Sequence, residues 1–122
     1  MPNLIIKAYM TAFHRPEIDG PAVRIREIEI PSGEIVDLLV ESHMQTKPVR
    51  TEGLLELAFQ YGQNEFQSKQ LPSLSVGDVI ELPNSDRYRV AGWGWNKLAA
   101  DEDPTAATGN EARLLARTGE SI

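Results

Sequence analysis

From Leu4 to Ala12 every even-numbered residue is apolar: Leu4, Ile6, Ala8, Met10 and Ala12. The odd positions between them include Lys7, Tyr9 and Thr11. A period of two sends successive side chains to opposite faces of an extended chain, so this stretch predicts a strand with one buried face. Such a strand needs a neighbour to pair its backbone and a second layer to cover its apolar side.

A neighbour follows at once. HRPEIDGP, residues 14–21, combines two prolines with an Asp-Gly pair and reads as a loop. A second strand is predicted from Ala22 to Ile30, pairing with the first as a hairpin. Val23 and Ile25 alternate with Arg24 and Arg26, after which Ile28 and Ile30 alternate with Glu27 and Glu29. That change of phase predicts a bulge near Arg26–Glu27, or else a strand buried on different faces at its two ends. A second hairpin is predicted from Val79–Leu82, the turn residues PNSD at 83–86, and Arg87–Trp95.

The covering layer is a helix over Thr51–Tyr61. Thr51 is placed to cap it, and Leu54, Leu57, Ala58 and Tyr61 form one stripe, broadened by Leu55 and Phe59. Gly62 follows where glycine relieves a left-handed C-terminal residue. Glu34 to Met44 predicts a second short amphipathic helix, with a strand as the competing reading. The fold class expected is therefore α+β, a small antiparallel sheet of two hairpins packed against one or two helices. Residues 1–98 make that domain. Residues 99–122, with two basic and five acidic side chains, read as an acidic, flexible tail in which Leu114 and Leu115 are the residues available for docking.

Composition narrows the function classes. The 122 residues amount to one domain. There is no cysteine, which removes disulfides, thiol catalysis and most structural zinc. Only two histidines, His14 and His43, are present, and no metal site or cofactor is expected. The net charge of −6 argues against a field that draws nucleic acid to the surface. No apolar run approaches the roughly 18 residues of a membrane span, and no signal peptide is legible, so a cytoplasmic protein without membrane contact is expected.

Motifs with a built-in chemistry are absent. GxSxG, GxxxxGK[ST], HExxH and DxDxDG do not occur, and Gly92-Trp93-Gly94 leads into no helix of a nucleotide site. No enzyme is expected. His14 sits in a loop with Arg15, Glu17 and Asp19, either as a hydrogen-bonding or acid–base residue of a ligand loop or as an exposed histidine. The loop from Gln63 to Gln70 holds Gln63, Asn64, Gln67 and Gln70, whose amides suit either recognition or solvent, together with Phe66.

The tryptophans are the most informative side chains. In a regular strand Arg87, Arg89, Trp93 and Trp95 share a face, a pattern open to three readings: packing, a protein-contact hot spot, or stacking on single-stranded nucleic acid. A bulge at Gly94 would instead send Trp95 to the core and Trp93 to solvent. The split arrangement is the one expected.

Leu54–Trp95 also resembles the YodL-like domains of plasmids, phages and other mobile elements. Leu55 and Phe59 in the helix, Leu74, Ser75, Val76, Asp78, Val79 and Leu82 around the SVGDVI stretch, then Tyr88, Val90, Gly94 and Trp95 carry the resemblance. It covers about a third of the chain. It implies a small accessory domain with no established chemistry, and by analogy of genomic context an inhibitor of a restriction or CRISPR effector. The leading expectation is thus a non-catalytic protein-binding module that occludes a basic surface, such as that of a nucleic-acid-binding effector. Its contact residues are Trp93, Arg87, Arg89, Gln63, Asn64, Phe66 and Gln67. The alternatives are a single-strand binder using the Arg/Trp face and a small enzyme using His14.

Overall fold

The strand that alternation predicts, β1 (Leu4–Tyr9), pairs on both sides. The computed structural model describes residues 3–34, 47–63 and 73–116. After β1 come α1 (Pro16–Asp19), β2 (Ile25–Ile30), α2 (Lys47–Tyr61), β3 (Val79–Glu81), β4 (Arg87–Val90), β5 (Trp95–Lys97) and α3 (Gly109–Leu115). The five strands form one antiparallel sheet in the order β2-β1-β3-β4-β5. Helices around an antiparallel sheet make this an α+β fold, as expected.

The core lies between one face of the sheet and α2. Ile6 and Ala8 of β1, Ile28 and Ile30 of β2, Ile80 of β3, and Tyr88 and Val90 of β4 meet Leu55 and Ala58 of the helix. The alternation in β1 is therefore the core-facing set. β2 corrects the sequence reading. Its register with β1 runs without interruption from Leu4↔Ile30 to Tyr9↔Ile25, so there is no bulge. Arg26 takes the inward position beside Ile28 and Ile30, and Ile25 faces out. The arginine is tolerated inside because Nη1 donates to the Gly62 carbonyl at 2.7 Å and Asp78 adds an opposite charge.

Helix α2 begins at Lys47, a turn earlier than the expected cap at Thr51. Pro48 does not prevent this, since proline is accepted in the first turn of a helix, where its missing N–H is not needed. Gly62 ends the helix for a different reason from the one expected. It lies outside the positive-φ glycines, and a Cβ there would sit 2.7 Å from Leu74 Cγ and 3.0 Å from the Ala58 carbonyl. Glycine lets Leu74 pack directly on the helix end. Residues 32–34 are helical; the remainder of the helix expected to Met44, with His43, lies outside the described residues.

Two further corrections concern the C-terminal half. The strand expected over Arg87–Trp95 is two strands. β4 stops at Val90, Ala91–Gly94 turn, and β5 returns with Val90 opposite Trp95. Residues 99–116, part of the segment expected to be a free tail, pack onto the body. Pro104, Ala107, Ala112 and Ala116 are buried, the Gly109 N–H donates to the Thr11 carbonyl at 2.8 Å, and the Gly92 N–H donates to Ala116 O at 2.7 Å. Leu114 and Leu115 face solvent, so small residues rather than the leucines make the contact. No helix among the described residues is long and apolar enough to cross a membrane.

Candidate functional site

The β4–β5 turn carries the most exposed large apolar side chain among the described residues, Trp93 at 70%. Three local features hold it out. Gly94 adopts φ +77°, a left-handed conformation that glycine takes without steric cost and that closes the turn. The Ala91 N–H reaches back to Gly94 O at 3.3 Å, and the Gly92 N–H is fixed to the C-terminal end of α3. Trp95, two residues on, is 9% exposed and meets Phe59 edge to face, with ring centroids 6.5 Å apart. The two indoles point apart, as expected, although a hairpin turn rather than a bulge separates them.

Beside Trp93 lies a groove of about 460 Å³ between α2 and the turn. Glu52, Glu56 and Phe59 form its helical wall, while Val76, Ala91 and Trp93 contribute to the other side. Glu52 and Glu56 stand one helical turn apart, with Phe59 three residues further, so all three project from one side of α2. No lysine or arginine lines the groove among the described residues. The surface is thus an aromatic projection next to an apolar hollow with an acidic rim. Of this surface only Trp93 is among the contact residues expected from the sequence. The spacing of Glu52, Glu56 and Phe59 was visible, but nothing in the sequence placed that stripe beside the turn.

Arg87 and Arg89 do not join Trp93. On the sheet face away from α2, Arg87 Nε donates to Glu81 Oε1 at 2.7 Å, and its guanidinium lies 5.9 Å from the centre of the Tyr9 ring. Glu81 also accepts from the Tyr9 hydroxyl at 3.2 Å and favours the charged Arg87. Arg89 is 4% exposed and donates to the Gly77 carbonyl at 2.8 Å. Burial lowers its pKa, opposed by the charges of Glu102, Asp78 and Glu111. Gln63 is also structural. Its amide donates to Phe59 O at 3.0 Å and Leu74 O at 3.3 Å, bridging the end of α2 to the segment that enters β3. Asn64, Phe66 and Gln67 lie outside the described residues.

His14 is buried at 7%, neither an exposed loop residue nor part of the Trp93 groove. The described residues contain no group of three His, Asp or Glu side chains able to hold a metal. No family model, curated protein or solved structure matches the chain. The resemblance to YodL-like domains accordingly rests on residues 54–95 alone. Leu55, Leu74, Val79, Leu82, Tyr88, Val90 and Trp95, which carry much of it, are buried, whereas Trp93 lies outside the set.

Proposed function

We propose that the protein is a non-catalytic binding module that uses Trp93 and the acidic groove beside it to engage a basic surface of a protein partner. The observation that carries this reading is a 70%-exposed indole fixed on a tied turn while its neighbour Trp95 anchors that turn in the core. An aromatic side chain held in place loses little freedom on binding, and tryptophan is enriched among interface hot spots. Glu52 and Glu56 give the rim its charge and set the sign of the partner. A protein that handles nucleic acid presents such a basic surface. The resemblance to mobile-element domains adds that the module is a counter-defence inhibitor occluding an effector of this kind.

The single-strand-binding alternative loses its cationic face. Arg87 is engaged by Glu81 and Arg89 is buried, which leaves the exposed tryptophan beside two glutamates.

The test is a comparative capture from the native host with wild-type protein and Trp93→Ala as baits. The reading expects a protein retained by the wild type, lost with Trp93→Ala, and released by moderate salt. Equal retention by both baits would contradict it, as would salt-sensitive retardation of single-stranded DNA by the purified protein.

A further inference from the structure

Two aromatic rings are covered by arginines of the chain itself. The Arg87 guanidinium lies 5.9 Å from the centre of the half-buried Tyr9 ring, and its Nε donates to Glu81 Oε1 at 2.7 Å. Arg113 lies 4.9 Å from the centre of the exposed Phe13 ring. Each pair sets a weakly hydrated cation against the negative face of a ring, and at Tyr9 a carboxylate also takes a guanidinium N–H.

Trp93 departs from this pattern. Indole is the best of the three rings for holding a cation, yet no ring or cation contacts it among the described residues. Carboxylates are at hand, with Glu52 half-buried and Glu56 exposed on the helical wall of the same groove. Neither takes part in a hydrogen bond or ion pair among the described residues. Of the ring, arginine and carboxylate that meet at Tyr9, the ring and the carboxylates have counterparts at Trp93 and the arginine has none.

We propose that the partner supplies it: the groove receives a segment of a protein partner that carries an arginine, whose guanidinium stacks on Trp93 and donates to the Glu52 and Glu56 carboxylates. This rests on the reading of the Trp93 surface as a partner site and names the group that the site selects. The volume of about 460 Å³ leaves room for the residues flanking the arginine, and Val76 and Phe59 give their apolar atoms a wall. Charge complementarity admits either basic side chain, and shape selects between them. A guanidinium is flat, lies on the indole and still turns N–H groups outward to a carboxylate. A lysine ammonium is a strongly hydrated point charge that gains little beside solvent-facing glutamates.

The experiment is an NMR titration of the whole chain, read at the two indole N–H signals and the backbone amides. The probes are an acetylated, amidated leucine–arginine–leucine peptide, its lysine counterpart, and its citrulline counterpart, which keeps the planar shape without the charge. Saturable shifts of the Trp93 indole and of the Glu52 and Glu56 amides are expected with the arginine peptide, while the Trp95 indole stays in place. The lysine peptide should bind more weakly by about fivefold or more, and the citrulline peptide should not saturate. The double variant Glu52→Gln, Glu56→Gln removes two charges that bond nothing in the fold. It is expected to weaken the arginine peptide by about tenfold without moving the unfolding midpoint, and Trp93→Ala to abolish its binding. No saturable shift of the Trp93 indole at millimolar arginine peptide would overturn the proposal, as would equal binding of the lysine or citrulline peptide, or indifference to the double variant. The wider reading fails separately, on equal retention of a host protein by wild type and Trp93→Ala.

Discussion

Replacing Asp78 with alanine should remove much of the stability of this fold. The carboxylate is 1% exposed and receives the backbone N–H groups of Ala12 and Ser75, so it ties the chain after β1 to the entry of β3. Gly77 beside it adopts φ +104° and accepts from the Thr11 hydroxyl at 2.6 Å and from Arg89 at 2.8 Å. A hydrogen bond to a charged group contributes about 1.5–3 kcal/mol. The two share one turn and do not add fully, and removing the carboxylate also strips a counter-charge from buried Arg26 and Arg89. The expected loss is about 3–5 kcal/mol, against total stabilities of about 5–15 kcal/mol for domains of this kind. Urea unfolding followed by tryptophan fluorescence measures it. A loss below about 1 kcal/mol would refute the argument, because two buried charge-assisted bonds cannot be worth so little.

The same residue predicts a pH dependence. Burial pushes the Asp78 carboxyl above the usual range, opposed by hydrogen bonds from Ala12, Ser75 and Thr11 and by the charge of Arg89. The folded protein then holds the proton more tightly than the unfolded chain, whose aspartate titrates near about 3.9. Asp78 therefore adds stability that is fully present below that unfolded value and is lost as pH rises through the raised folded one. Asparagine cannot take up the proton. The stability difference between wild type and Asp78→Asn should widen as the solution is acidified through that window, and a constant difference would contradict the assignment.

Three further outcomes follow from packing. Trp95→Ala should cost about 3–5 kcal/mol by chemical denaturation, the range for deleting a buried large aromatic, whereas Trp93→Ala should cost less than about 0.5 kcal/mol. Gly62→Ala should cost about 1–3 kcal/mol, because the new methyl overlaps buried Leu74; calorimetry showing no change would place Leu74 elsewhere. Truncation after Leu98 should cost about 2 kcal/mol and lower the thermal midpoint by roughly 10 °C, since two backbone hydrogen bonds to the body and the buried Pro104, Ala107, Ala112 and Ala116 are lost.

Much of the frame was legible because β1 and α2 obey simple periods. Ile6 and Ala8 alternate into the core, and Leu55 and Ala58 lie on the predicted helix. The departures share a cause: side-chain type does not by itself report side-chain direction. Arg26 occupies an inward site because a carbonyl at Gly62 awaits it, a tertiary fact with no local signal. Ala107, Ala112 and Ala116 dock the C-terminal segment while two leucines face solvent, so small size at a close approach outweighed hydrophobicity. The end of β4 was hidden because Tyr88, Val90 and Trp93 extend a strand-like run through the glycines that turn it. The site was legible only in Trp93. Its acidic rim is contributed by a helix some forty residues earlier in the chain, which only the packing of α2 on the sheet brings alongside.

The central claim, that Trp93 is the anchor for a protein partner, is tested most directly on the single-tryptophan variant Trp95→Phe. Acrylamide quenching of its remaining indole is measured alone and with the partner isolated by the comparative capture. The account predicts strong quenching of Trp93 in the free protein and marked protection in the complex, relieved by salt. Equal quenching with and without partner would contradict it.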